Sequence, residues 1–217
     1  MLIGGPIFPI VVTDLDCMKK RVICLVGLPG AGKSTVARLF KERGSEVLNA
    51  DRLAHEVYRK KNRLYKKLHS LFPELEGPLD RRKISQIIFR DPLRRRSLER
   101  LIHPYVFNRI QEEIRKKPKS VFILEVPLLF ESGFYRKTDC NVLVKTRAEI
   151  ILTRLTLKGF KARDIKARWR AQMPLSKESR RSDYVIDNSN GLKQTQKQVV
   201  QVWKQIERSL TKHGKTR

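Results

Sequence analysis

The run Gly27-Leu28-Pro29-Gly30-Ala31-Gly32-Lys33-Ser34-Thr35 has the composition of an anion cradle. Glycines let successive backbone N–H groups turn inward around a negative charge. The spacing Gly-x4-Gly-Lys-Ser is that of a phosphate-binding loop that delivers its anion to a helix N-terminus, where unpaired N–H groups and the helix dipole favour negative charge. In such a loop Gly27, Gly30, Ala31, Gly32 and Thr35 surround nucleotide phosphates. Lys33 reaches the β- and γ-phosphates, and the Ser34 hydroxyl holds Mg²⁺. A plain Gly/Pro turn with a solvated lysine is the other reading. The apolar run before the loop (22–26) and the amphipathic run after it (36–40) supply the strand and helix that the phosphate-binding reading requires.

Other residues could complete a phosphoryl-transfer site. Asp51 follows a short apolar stretch; a carboxylate there can accept a hydroxyl proton or orient Mg²⁺, or simply cap the next helix. Glu125 closes an apolar strand, where an acidic residue can hold Mg²⁺ through water, or stand at the surface. Arg154, Lys158, Lys161, Arg163, Arg168 and Arg170 flank Gly159 between two helices. As a set they read as a lid whose cations neutralise a transferring phosphoryl group; singly, each reads as a solvated helix face. Asp80-Arg81 follows a Gly-Pro turn, and Arg81 could grip an acceptor phosphate bidentately. His103-Pro104 reads as a helix start with proline at its first position, the histidine serving either a structural hydrogen bond or a substrate contact.

Positioning these groups requires a particular scaffold. Strands are expected at 22–26, 46–48, 121–124, 141–144 and 184–186, and helices at about 33–43, 148–157, 164–172 and 192–210. Gly44 is expected at a C′ position. Residues 52–117 are expected to be helical and very basic, broken only at Phe72-Pro73, Glu76-Gly77-Pro78 and Asp91-Pro92, with Leu53, Val57, Leu64 and Leu68 on one face. Strands alternating with helices give an α/β fold with a five-stranded parallel sheet covered on both sides, a three-layer α/β/α sandwich. Ligands of such sheets sit at the carboxyl ends of the strands. The loop at 27–35, Asn49 to Asp51, Glu125 to Leu129 and Asp187-Asn188 all fall there.

The bulk composition narrows the partners. The chain has 217 residues, with 48 Lys+Arg against 22 Asp+Glu, a formal net charge of +26. That favours anionic partners, whether nucleotides, nucleic acid or an acidic surface. No RNA- or DNA-binding motif appears, and the aromatics lack the pattern of a base-stacking platform. Three cysteines, Cys17, Cys24 and Cys140, show no C-x-x-C spacing, as expected of a reduced cytoplasmic protein. No apolar run approaches a membrane span. Residues 1–17 are apolar with two prolines and no basic start, and are expected to be an extension that is disordered or lies upstream of a true start at Met18. The expected organisation is one domain over 18–212, with a helical acceptor-binding region at about 52–117, a lid at about 154–172 and a basic tail at 213–217.

Taken in order, these features resemble the dephospho-CoA kinase family over nearly the whole chain from Met18 to about Leu210. The matching elements are the loop with its trailing Ser34-Thr35-Val36-Ala37, then Ala50-Asp51, Leu79-Asp80-Arg81 and His103-Pro104. They continue through Val126-Pro127-Leu128-Leu129-Phe130-Glu131, Arg168 followed by Gln172, and Asp183-Tyr184-Val185-Ile186-Asp187-Asn188. The resemblance implies the P-loop nucleotide-kinase fold and transfer of the ATP γ-phosphoryl, with Mg²⁺, to the ribose 3′-hydroxyl of dephospho-coenzyme A. It implies Asp51 as the general base and Asp80, Arg81 and His103 in the acceptor region. Asn188 would lie near the adenine, and Arg154, Lys158 and Arg168 would close over the reacting group. The chain departs from the family pattern at Asn49 (usually Asp), Lys158 (usually Arg), Pro73 (usually Gly) and Leu28-Pro29 (commonly Gly-Ile). Two other readings fit parts of the pattern: another small-molecule or polynucleotide kinase, and an ATP-dependent nucleic-acid-binding protein.

Overall fold

The computed structural model describes residues 20–125, 138–163, 165, 169 and 179–212. Its centre is a parallel sheet of five strands, β1 (Arg21–Val26), β2 (Glu46–Asn49), β3 (Val121–Glu125), β4 (Cys140–Lys145) and β5 (Tyr184–Asp187), in the order β2-β3-β1-β4-β5. All five are the strands expected from sequence, each longer by a residue or two. Their unbroken apolar runs arise because both faces are covered. Ile23 and Leu25 of β1 pack to one side; Val22, Cys24 and Val26 pack to the other.

On the first side lie α1 (Lys33–Lys41) and α7 (Leu192–Lys212), joined by Phe40 against Trp203 with ring centroids 6.2 Å apart. Gly44 takes φ 101°, but the helix stops short of its expected end: Glu42 is the C-cap of α1, so Gly44 stands one residue beyond the C′ position expected of it. On the second side, Ile110 and Ile114 of α5 (Pro92–Lys116) pack on Phe122 and Leu124. A third apolar cluster, with Val57, Leu68, Phe72, Ile84, Leu98 and Ile102, holds the helical region together.

Two expectations for that region are corrected. Besides the breaks expected at 72–73, 76–78 and 91–92, which the structure shows, it is also interrupted between Tyr58 and Tyr65. It comprises α2 (Ala50–His55), a 3₁₀ turn (Glu56–Tyr58), α3 (Tyr65–Ser70), α4 (Arg81–Arg90) and α5. The face carrying Leu53, Val57 and Leu68 is buried as expected, but the chain breaks before α3, where Asn62 Oδ1 accepts from Leu64 N at 2.9 Å. Its Nδ2 donates to Tyr105 Oη at 2.8 Å, tying the break to α5. Short-range asparagine turns of this kind compete with helix.

Second, Pro104 does not begin a helix. It lies inside α5, whose true start is Pro92, with Asp91 Oδ1 accepting from Leu93 N and Arg94 N, both at 3.0 Å. An internal proline costs roughly 3 kcal/mol. The helix carries it because Leu98, Ile102, Tyr105, Ile110 and Ile114 are buried along one stripe on both sides of it.

After β4 comes α6 (Ala148–Leu157), with the bounds expected, followed by Gly159 at φ 85°. Residues 1–17, the 126–131 element and most of the helix expected at 164–172 lie outside the described residues. Cys24 and Cys140 are buried and are not in a disulfide. No described helix is long and apolar enough to cross a membrane.

Candidate active site

The loop between β1 and α1 is held in shape from below. Ala31 O accepts from the buried Thr146 Oγ1 at 2.7 Å and from Asn188 Nδ2 at 2.9 Å; Asn188 is itself fixed by Thr195 Oγ1, which donates to its Oδ1 at 2.9 Å. Gly32 is the N-cap of α1 with φ 94°, and a Cβ there would stand 2.1 Å from Asn188 Nδ2. A Cβ on Gly27, at φ 132°, would stand 2.3 Å from Val144 O. Both glycines are therefore required by backbone conformation and by space. The loop ends at the α1 N-terminus, where Ser34 is exposed and Thr35 N donates to Gly32 O at 3.0 Å. Lys33 bends back over the loop, its Nζ donating to Gly27 O at 2.7 Å and Leu28 O at 3.2 Å. Asn188 is only 5% exposed, so its place is beneath the loop, as a brace.

The strand register assembles the carboxylates. Glu125 pairs with Leu25 on one side and with Asn49 on the other, so the ends of β1, β3 and β2 form one edge. Asn49, not Asp51, caps α2: its Oδ1 accepts from Arg52 N at 2.9 Å, while its Nδ2 donates to Glu125 Oε2 at 3.1 Å. The capping alternative for Asp51 is thereby removed, and its carboxylate lies within the electrostatic reach of His55, Lys33 and Arg81. Partial loss of water around Asp51 raises its pKa, while His55, Lys33 and Arg81, in that order, pull it down. Glu125 is likewise raised, chiefly by burial and further by Asp51, against the opposing pull of Lys33 and Asn49. Two carboxylates and one ammonium thus share a single field at the mouth of the loop. Among the described residues no group of three His, Cys, Asp or Glu could hold a metal alone. Mg²⁺ does not need such a cage, since it keeps water and takes phosphate oxygens beside one or two carboxylates.

Arg81 enters this field from the helical region. Asp80 caps α4, its Oδ1 accepting from Arg82 N at 2.7 Å, which makes Arg81 the first residue of the helix. Arg81 Nη1 lies 3.2 Å from His55 Nδ1, and its guanidinium carbon lies 5.7 Å from the centroid of the Tyr58 ring. Sequence reasoning singled out neither His55 nor Tyr58. The four-residue spacing from Asp51 to His55, one helical turn, was the available signal for the histidine; Tyr58 left none. His103 is not brought to this group by any described contact. It stands on α5, where the surrounding protein lowers its pKa and Glu99 opposes this.

On the other side of the loop, Arg154 Nη2 donates to Asn188 O at 3.4 Å, and its Nη1 lies 3.6 Å from where a Cβ on Gly32 would be. Arg154, one of the cations expected to belong to a lid, thus lies beside Gly32, the N-cap of α1. Lys158 is exposed at the C-cap of α6, one turn further on. Arg168 lies outside the described residues.

Comparison with known proteins shows which family the chain resembles. The family model for dephospho-CoA kinase matches residues 21–194. A curated dephospho-CoA kinase of Aquifex aeolicus is 37% identical over 191 residues, covering 86% of this chain and 97% of its own. A crystal structure from Thermus thermophilus superposes with a TM-score of 0.78 at 33% identity, covering 84% of this chain and 95% of that one. A dephospho-CoA kinase from Campylobacter jejuni gives 0.63 at 25% identity, with 88% and 98% covered.

Proposed function

The chain belongs to the dephospho-CoA kinase family, and on that premise we propose how its residues divide the reaction. The activity is that of an ATP-dependent kinase whose acceptor is dephospho-CoA; the γ-phosphoryl passes to the ribose 3′-hydroxyl, the final step of coenzyme A synthesis. The observation that carries the assignment of roles is the position of Asp51, between the phosphate-binding loop and Arg81.

Gly27, Gly30, Ala31, Gly32, Lys33, Ser34 and Thr35 bind the ATP phosphates. Asn188 acts on ATP through the loop it braces. Mg²⁺ fits beside the Ser34 hydroxyl and the Glu125 carboxylate, a hard oxygen set facing the site of negative charge; bound there, it would neutralise charge on the phosphates. Asp51 accepts a hydrogen bond from the acceptor hydroxyl, aims that oxygen at the γ-phosphorus and takes its proton as the new P–O bond forms. Lys33 and Arg154 stabilise the phosphoryl oxygens in flight, and Lys158 and Arg168 close with the lid. Arg81 grips an anionic group of the acceptor, Asp80 sets it at the start of α4, and His103 belongs to the same acceptor region.

The reading treats 18–212 as one kinase domain, with acceptor binding at about 52–117 and the lid at about 154–172. It assigns the protein to the cytoplasm. The surplus positive charge serves these anionic substrates and needs no nucleic acid.

An acceptor screen tests it. ADP release from ATP is expected to rise with dephospho-CoA and to stay at background with common nucleosides or RNA. Stimulation by RNA alone would overturn the reading.

A further inference from the structure

Arg81 is held in an unusual way for a surface arginine. Among the described residues no carboxylate lies within ion-pair distance of it, although eight such pairs occur elsewhere, including Arg109 with Glu56 at 3.2 Å and Arg94 with Glu74. Its contacts are two aromatic side chains: His55 Nδ1 at 3.2 Å and the Tyr58 ring at 5.7 Å. A guanidinium can only donate, so His55 Nδ1 must be the acceptor. The imidazole is therefore neutral, with its proton on Nε2.

The difference matters for binding. A carboxylate partner would orient the arginine but cancel its charge. A neutral lone pair and a π face orient the guanidinium while leaving its charge to be felt by a ligand. The three residues come from two elements that meet only in the folded chain, α2 with its 3₁₀ extension and the first turn of α4.

We propose that His55 and Tyr58 are positioning residues for acceptor binding, forming a neutral clamp that aims the Arg81 guanidinium, which makes no ion pair among the described residues, at an anionic group of dephospho-CoA. The proposal rests on the reading of Arg81 given above and adds two residues to it.

The clamp carries a pH dependence. Two charged groups act on His55: Asp51 one turn earlier on its own helix, and Arg81 across from it. Protonation of Nδ1 removes the acceptor and sets a second cation against Arg81. Burial and Arg81 both hold the His55 pKa below its usual value, against the opposing pull of Asp51. The clamp is thus intact at neutral pH and opens on acidification.

Steady-state kinetics of the full chain, with dephospho-CoA and ATP varied separately between mildly acidic and mildly alkaline pH, provide the test. His55→Leu and Tyr58→Leu are each expected to raise KM for dephospho-CoA about tenfold, the worth of one charge-assisted contact, with KM for ATP unchanged. Asn carries an acceptor where His carries Nδ1, and Phe keeps the ring. His55→Asn and Tyr58→Phe are therefore expected to restore a near-normal KM. His55→Asn is also expected to reduce the acid-side loss of kcat/KM for dephospho-CoA to the part that protonation of Asp51 leaves, which decides the matter even if the leucine variants fold poorly. An acid limb identical in wild type and His55→Asn, or KM values for both substrates rising together, would overturn the proposal. Arg81→Gln separates the two levels. If it leaves KM for dephospho-CoA unchanged, the role of Arg81 itself fails. If it raises that KM while the His55 and Tyr58 variants do not, Arg81 stands and the clamp fails.

Discussion

Asn49 and Glu125 are neighbours in register across β2 and β3, and the Asn49 amide donates to the Glu125 carboxylate at 3.1 Å while its oxygen caps α2. One neutral side chain thus fixes the start of the helix that carries Asp51 and the orientation of the carboxylate beside it. The family usually places aspartate here. Aspartate would keep the cap but lose the donor and set a third negative charge at the edge.

Removing that side chain separates its two tasks. Asn49→Ala is expected to lower stability by about 1 kcal/mol, the usual worth of an N-cap, and to lower turnover as Glu125 loses its anchor. Asn49→Asp keeps the cap and is expected to lose less stability than alanine. Denaturant midpoints and kcat of the two variants check this; equal stability losses would show that the cap contributes nothing.

The carboxylates of Asp51 and Glu125 should work against stability at neutral pH. Both have pKa values raised in the folded protein. A raised carboxyl pKa means that folding favours the protonated form. Its contribution is fully present below the unfolded value, near 4, and is lost as pH rises through the folded value. In metal- and nucleotide-free buffer, Glu125→Gln is therefore expected to melt higher than wild type at pH 7, while losing activity. The difference should vanish well below pH 4. A variant that melts lower at pH 7 would contradict the sign.

Gly32 meets two obstacles to any side chain, its φ of 94° and the Asn188 amide. Gly32→Ala is expected to weaken both ATP binding and stability. In an Asn188→Ala background the clash disappears, and the stability penalty of the same change should shrink to roughly 1–2 kcal/mol, the cost of a left-handed residue. A double-mutant cycle measures the difference; strict additivity would show that Asn188 does not touch the loop's conformation.

The sheet was readable because its strands are buried on both faces and so appear as unbroken apolar runs between glycine-rich or acidic stops. The loop was readable because its function demands fixed residue types at fixed spacing. What escaped was tertiary. Pro104 marks a helix boundary by local rules, and only the buried stripe from Leu98 to Ile114 shows that α5 runs through it. Asn62 breaks the helical region through a turn whose other half is a tyrosine on α5. The candidate site divides the same way. Lys33, Asp51 and Glu125 follow from position at strand ends. Asn49 as the cap, Asn188 as a buried brace and the clamp on Arg81 depend on partners brought together across the fold.

The central claim is that the Asp51 carboxylate activates the acceptor hydroxyl while contributing little to the binding of ATP. Turnover of Asp51→Asn with saturating ATP and dephospho-CoA, measured beside ATP affinity by titration, tests it most directly. The amide keeps the shape and cannot take the proton, so kcat is expected to fall about 10²-fold or more with ATP affinity unchanged. Near-normal turnover in Asp51→Asn would contradict the account.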